Sequence, residues 1–132
     1  MKIHDYIIVD DDPVNNLICK LVIEKFDSNA RVKVFQEPEK GLAYLQSCKK
    51  YEGDRKMIIF LDVNMPTMTG WDFLDEFLNF DTSIKKMFKV YILTSAIEDF
   101  DPEKVRYPMV KAFLSKPLRK ATMQDLDLNL SS

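Results

Sequence analysis

Short apolar runs alternate along this chain with segments whose apolar residues recur every three or four positions. Tyr6-Ile7-Ile8-Val9 is continuously apolar, as expected of a strand buried on both faces in a parallel sheet. From Pro13 onward, Val14, Leu17, Ile18, Leu21 and Val22 fall at helical spacing, with Asn16, Lys20 and Glu24 between them. Val32-Lys33-Val34-Phe35 reads as a second strand, more polar and so nearer an edge. Pro38 to Tyr51 carries Leu42, Leu45 and Cys48 at helical spacing. Met57-Ile58-Ile59-Phe60-Leu61 is the most apolar run and the expected central strand. Trp71, Leu74, Phe77 and Leu78 mark a third helix after Gly70. Val90 to Leu93 gives a fourth strand and Ala112 to Leu114 a fifth.

Three stretches are less regular. Pro102 and Pro108 interrupt the region of a fourth helix, Ile97 to Tyr107; Pro102 suits a first helical position after Asp101, so a short or irregular helix is expected. Pro117 to Leu126 has weak amphipathic periodicity and predicts a short fifth helix. Cys48 to Lys56 is charged and reads as a helix end plus a solvated loop.

Strand and helix alternating about five times predicts a doubly wound α/β sandwich, with helices on both faces of one parallel sheet. Ligands of such sheets sit at the C-terminal ends of the strands. The first polar residues beyond those ends are Asp10 and Asp11, then Asp62, then Thr94 and Ser95, then Ser115 and Lys116. Each has a plainer reading alone: a helix cap for the acidic pair and for Thr94-Ser95, turn chemistry for Asp62, a solvated loop for Lys116. Their coincidence at strand ends points instead to one pocket of three carboxylates, a hydroxyl and an amine. Hard oxygen donors without His or Cys suit Mg²⁺ or Mn²⁺. A carboxylate can accept a phosphoryl group as an acyl phosphate, and phosphoryl transfer needs mostly positioning and charge neutralisation. Asp12, just before Pro13, reads as the cap of the next helix and lies outside this set.

Composition narrows the partners. The 132 residues suffice for one domain, and a net charge of −2 gives no electrostatic case for nucleic-acid binding. No apolar run nears the roughly 18 residues that span a bilayer, and no signal-peptide pattern precedes the first strand, so a cytoplasmic protein is expected. Cys19 and Cys48 form no metal or redox pair and are expected as reduced, buried thiols. Trp71, Phe73, Phe77 and Phe80 are expected as core and helix-face packing. His4, the single histidine, is expected as an exposed terminal residue, so any phosphodonor histidine comes from another protein.

With these residues in view, the chain resembles the receiver domain of two-component response regulators. Val9-Asp10-Asp11, Leu61-Asp62-Val63-Asn64-Met65-Pro66 with Gly70 following, Leu93-Thr94-Ser95-Ala96 and Phe113-Leu114-Ser115-Lys116-Pro117 carry the resemblance, over roughly residues 5 to 125. It implies a flavodoxin-like (βα)5 sandwich with strand order 2-1-3-4-5. Asp62 is implied as phosphoacceptor. Mg²⁺ is implied as bound by Asp11 directly, by Asp10 mainly through water, by Asp62 and by the main-chain carbonyl of Asn64. Thr94 and Lys116 are implied to contact phosphoryl oxygens. Thr94 and Phe113 are implied as the switch pair, with output through the face of the fourth helix, fifth strand and fifth helix. Ser95 stands where the family favours a small residue. Small Ala96 offers no side chain to orient water, which suggests slow self-dephosphorylation.

A single receiver domain over residues 1–132, without an output domain, is the expected organisation. The expected function is a phosphoaspartate signalling switch, fed by a sensor histidine kinase or a histidine phosphotransfer protein and acting through protein contacts. A pseudo-receiver that binds without phosphorylation is the alternative; no active-site residue is missing. An aspartyl-phosphate hydrolase needs a second acid two residues after the nucleophile, where this chain has Asn64.

Overall fold

Five apolar runs become five strands: β1 (His4–Val9), β2 (Ala30–Phe35), β3 (Met57–Leu61), β4 (Phe88–Thr94) and β5 (Val110–Ser115). The structure is a computed structural model that describes residues 4–48, 57–95 and 107–126. All pairings are parallel, in the order β2-β1-β3-β4-β5, the flavodoxin-like arrangement. Every β3 residue is buried, as its unbroken apolar run requires at the centre of a sheet covered on both faces. β2 alternates polar and apolar residues and takes an edge.

The helices are α1 (Pro13–Phe26), α2 (Pro38–Ser47), α3 (Gly70–Leu78), α4 (Thr82–Lys85) and α5 (Lys120–Leu126). Successive β1 side chains point to opposite faces and feed two cores. Ile7 and Val9 join Leu45, Phe73 and Phe77 on one side. Tyr6 and Ile8 join Cys19, Ile23 and Met123 on the other. Trp71 and Phe80 pack against the first cluster, and both cysteines are buried free thiols. Among the described residues no helix is long and apolar enough to cross a membrane.

The apolar stripe of α1 is not its buried face. Val14, Leu17, Ile18 and Leu21 are exposed, whereas Asn15, Asn16, Cys19 and Ile23 are buried. Asn15, Cys19 and Ile23 are four residues apart and form the inward line. The helix is turned this way because both asparagines hydrogen-bond to Asp10.

His4 is likewise no exposed terminal residue. β1 extends back to it, and its Nδ1 lies 2.7 Å from Asp27 Oδ2, an atom that also accepts from the Tyr6 hydroxyl at 2.8 Å. The α4 turn has no counterpart in the helical spacing. α2 stops at Ser47 rather than Tyr51. The loop predicted over Cys48–Lys56 lies outside the described residues beyond Cys48. The fourth-helix region lies outside them except for Tyr107.

Candidate functional site

The strand ladder itself assembles the polar residues. Past the end of β1, the Asp10 N–H donates to the Phe35 carbonyl at 3.1 Å. Past the end of β3, the Asp62 N–H donates to the Val9 carbonyl at 2.9 Å. Asp10 and Asp62 thus end neighbouring strands. On the other side, the Lys116 N–H donates to the Thr94 carbonyl at 2.9 Å and ties the ends of β4 and β5 together.

Gly70 sets the loop that carries Asp62. Its N–H donates to the Val63 carbonyl at 2.9 Å. A Cβ at this position would lie 2.6 Å from the Asp62 carbonyl oxygen and 2.8 Å from Val63 Cα, so only glycine allows the approach. Behind it α3 is fixed by a capping box between Thr69 and Asp72.

Lys116 Nζ bridges the two buried acids, 2.9 Å from Asp10 Oδ2 and 3.2 Å from Asp62 Oδ1. Burial raises the pKa of Asp62, the charge of Asp10 raises it further, and Lys116 and the Asn64 N–H oppose the rise. Burial alone would lower the Lys116 pKa; the hydrogen bond and charge of Asp10, with those of Asp62, carry it above its ordinary value. One oxygen each from Asp10, Asp11 and Asp62 lies within 4.8 Å of the others, and Asp11 is the most open of the three. Three carboxylates around one ammonium leave a net negative pocket of hard oxygens, which fits Mg²⁺.

The predicted residues therefore converge. Thr94 is fully buried at the end of β4, and Asn64 is exposed beside Asp62. Phe113 is half-buried against the Trp71 ring, with centroids 6.3 Å apart. Trp71 in turn stacks on Tyr107 at 5.7 Å. Ala96 lies outside the described residues. Asp12 caps α1, as expected: its Oδ1 accepts from the Val14 and Asn15 N–H groups. It also reaches the site, but through its main-chain N–H, 3.0 Å from Asp10 Oδ1.

Sequence reasoning missed Asn15 and Asn16. The Asn15 amide donates to Asp10 Oδ2 at 2.7 Å, and the Asn16 amide to the Asp10 carbonyl at 2.8 Å. Two polar residues in the first turn of the helix that follows the acidic end of β1 were the available signal.

The fold and this acidic pocket define a phosphoacceptor class of signalling domain. A family model of the response regulator receiver domain matches residues 6–126, and the chain belongs to that family. Receiver domains are regulatory phosphoaspartate switches that bind Mg²⁺ at an acidic site and work with histidine kinases or phosphotransfer proteins. No curated protein matches the sequence. Solved structures do. A two-component response regulator from Legionella pneumophila is 26% identical with a TM-score of 0.77, over 97% of this chain and 98% of that one. One from Cytophaga hutchinsonii is 24% identical with a TM-score of 0.81, over 99% and 98%. The receiver domain of a sensor histidine kinase from Pseudomonas aeruginosa is 18% identical with a TM-score of 0.75, over 99% and 100%; it has a magnesium ion in its active site cleft.

Proposed function

We propose that Asp62 is the phosphoacceptor of a signalling switch. A carboxylate oxygen of Asp62 attacks the phosphorus of a phosphohistidine. The P–N bond breaks, its electron pair returns to the imidazole nitrogen, and an acyl phosphate remains on Asp62. Mg²⁺ bound here would neutralise charge on the transferring group. Asp10, Asp11, Asp62 and the Asn64 main-chain carbonyl would hold the ion, and Mn²⁺ would serve in its place. Lys116 and the Thr94 hydroxyl stabilise the phosphoryl oxygens. The observation that carries this reading is the convergence of three carboxylates within 4.8 Å, with the Lys116 ammonium 3.2 Å from Asp62.

The donor is a sensor histidine kinase or a histidine phosphotransfer protein. His4 cannot act in its place, because it is paired with Asp27 at the far end of β1 from Asp62. A donor must cover the rim of the pocket to bring its histidine to Asp62. The exposed Val14 and Leu17 lie on α1, which begins two residues after Asp11, beside a groove of about 410 Å³ lined by Pro13, Leu17, Val34 and Glu37. This supports α1 as the surface the donor covers. Downstream, Thr94 drawn toward the phosphoryl group frees space that the Phe113 ring fills, which shifts the population of the face around β5. Ala96 supports slow loss of the phosphoryl group.

Incubation with radiolabelled acetyl phosphate and Mg²⁺ should label the protein, and Asp62→Asn should abolish the label. Labelling that survives the substitution would sink the assignment.

A further inference from the structure

Asp10 carries more hydrogen bonds than a water-linked metal ligand needs. Its Oδ2 accepts from both Asn15 Nδ2, at 2.7 Å, and Lys116 Nζ, at 2.9 Å. Its Oδ1 accepts from the Asp12 N–H at 3.0 Å, and its carbonyl from Asn16 Nδ2 at 2.8 Å. Only 2% of Asp10 is exposed, so water is poorly placed to replace a lost donor.

The two donors on Oδ2 differ in kind. Lys116 is shared with Asp62, and a doubly charged phosphoryl group on Asp62 would attract the ammonium more strongly than either carboxylate. Asn15 is neutral and has no such competitor. Its backbone is held in the first turn of α1 by the Asp12 cap, at 3.4 Å, and its amide lies 3.8 Å from Cys19 Sγ.

We propose that Asn15 is a positioning residue of the phosphoryl-transfer site, which keeps the Asp10 carboxylate turned toward the metal when Lys116 moves to the phosphoryl group. The inference rests on the phosphoacceptor reading of Asp62. It places the demand for Asn15 in the phosphorylated state, because in the resting state Lys116 still holds Asp10.

The test is Mg²⁺ binding followed by NMR, with Mg²⁺ alone and with excess beryllofluoride as the phosphoryl mimic. In Asn15→Ala, half-saturating Mg²⁺ alone should rise less than about threefold, and with beryllofluoride by roughly tenfold or more. Asn15→Leu fills the same space without a donor and should show the same asymmetry. Equal losses in the two states, a greater loss with Mg²⁺ alone, no loss, or wild-type behaviour in Asn15→Leu would overturn the proposal. Should Asn15→Leu fail to fold, Asn15→Ala decides. A wild-type protein that ignores beryllofluoride would instead refute the switch reading, and this inference with it.

Discussion

The Lys116 ammonium lies 3.2 Å from Asp62 Oδ1. On the phosphoacceptor reading proposed above, the acceptor carboxylate is already partnered at rest by the cation that would stabilise the incoming phosphoryl group. That cation competes electrostatically with a metal ion for the same oxygens. Lys116→Met should bind Mg²⁺ more tightly, by about tenfold, while acetyl phosphate labels it more slowly. Calorimetric titration with Mg²⁺ reads the first effect; weaker binding would show that Lys116 does not compete with the ion.

Asp62 also makes the fold sensitive to pH. Its raised pKa, from burial first and the Asp10 charge second, means that the folded chain holds the proton more tightly than the unfolded chain. Ionised Asp62 thus costs stability at neutral pH, and the cost vanishes as the pH falls below its folded pKa toward the ordinary 3.8. Asp62→Asn should raise Tm by a few degrees at neutral pH without Mg²⁺, and the gain should shrink on acidification. Thermal melts across that range check it; a gain that grows with acid would reverse the sign.

Asp11 and Asp12 differ in their surroundings despite their adjacency: an Asp11 oxygen lies with those of Asp10 and Asp62, whereas the Asp12 carboxylate faces the start of α1. Asp12 contributes a main-chain N–H to Asp10, which any residue but proline would keep, and a carboxylate to the α1 cap. Asp12→Ala should cost about 1 kcal/mol in chemical denaturation and leave Mg²⁺ affinity within about twofold. Asp11→Asn should lower that affinity at least about tenfold. Comparable affinity losses in the two variants would refute the division.

The exposed face of α1 gives a test that separates docking from chemistry. Leu17→Glu puts a charge on a residue 59% exposed, where folding tolerates it. Phosphotransfer from the cognate donor should fall by about tenfold or more, since an apolar contact is replaced by a charge to be desolvated. Labelling by acetyl phosphate should stay within about twofold. If both rates hold, the donor docks elsewhere.

The residues that sequence could and could not disclose differ in what decides their environment. Unbroken apolar runs place β1, β3, β4 and β5, and the strand-end rule then locates Asp10, Asp62, Thr94 and Lys116. The alternation of Val32-Lys33-Val34 placed β2 at its edge. α1 forms where its period predicts, but its inward face is not legible in that period: the apolar count favours Val14, Leu17 and Leu21, whereas hydrogen bonds from Asn15 and Asn16 to Asp10 turn the helix the other way. His4 was misread because its partner, Asp27, is 23 residues away and no local pattern links them. The four-residue α4 turn is too short to show a period.

Trp71 is the only tryptophan in the chain, and its indole contacts the rings of both Tyr107 and Phe113. Any change in the Phe113 ring alters the surroundings of that single indole. The intrinsic fluorescence of the unlabelled protein is therefore an optical gauge of the β5 surface, free of background from other tryptophans.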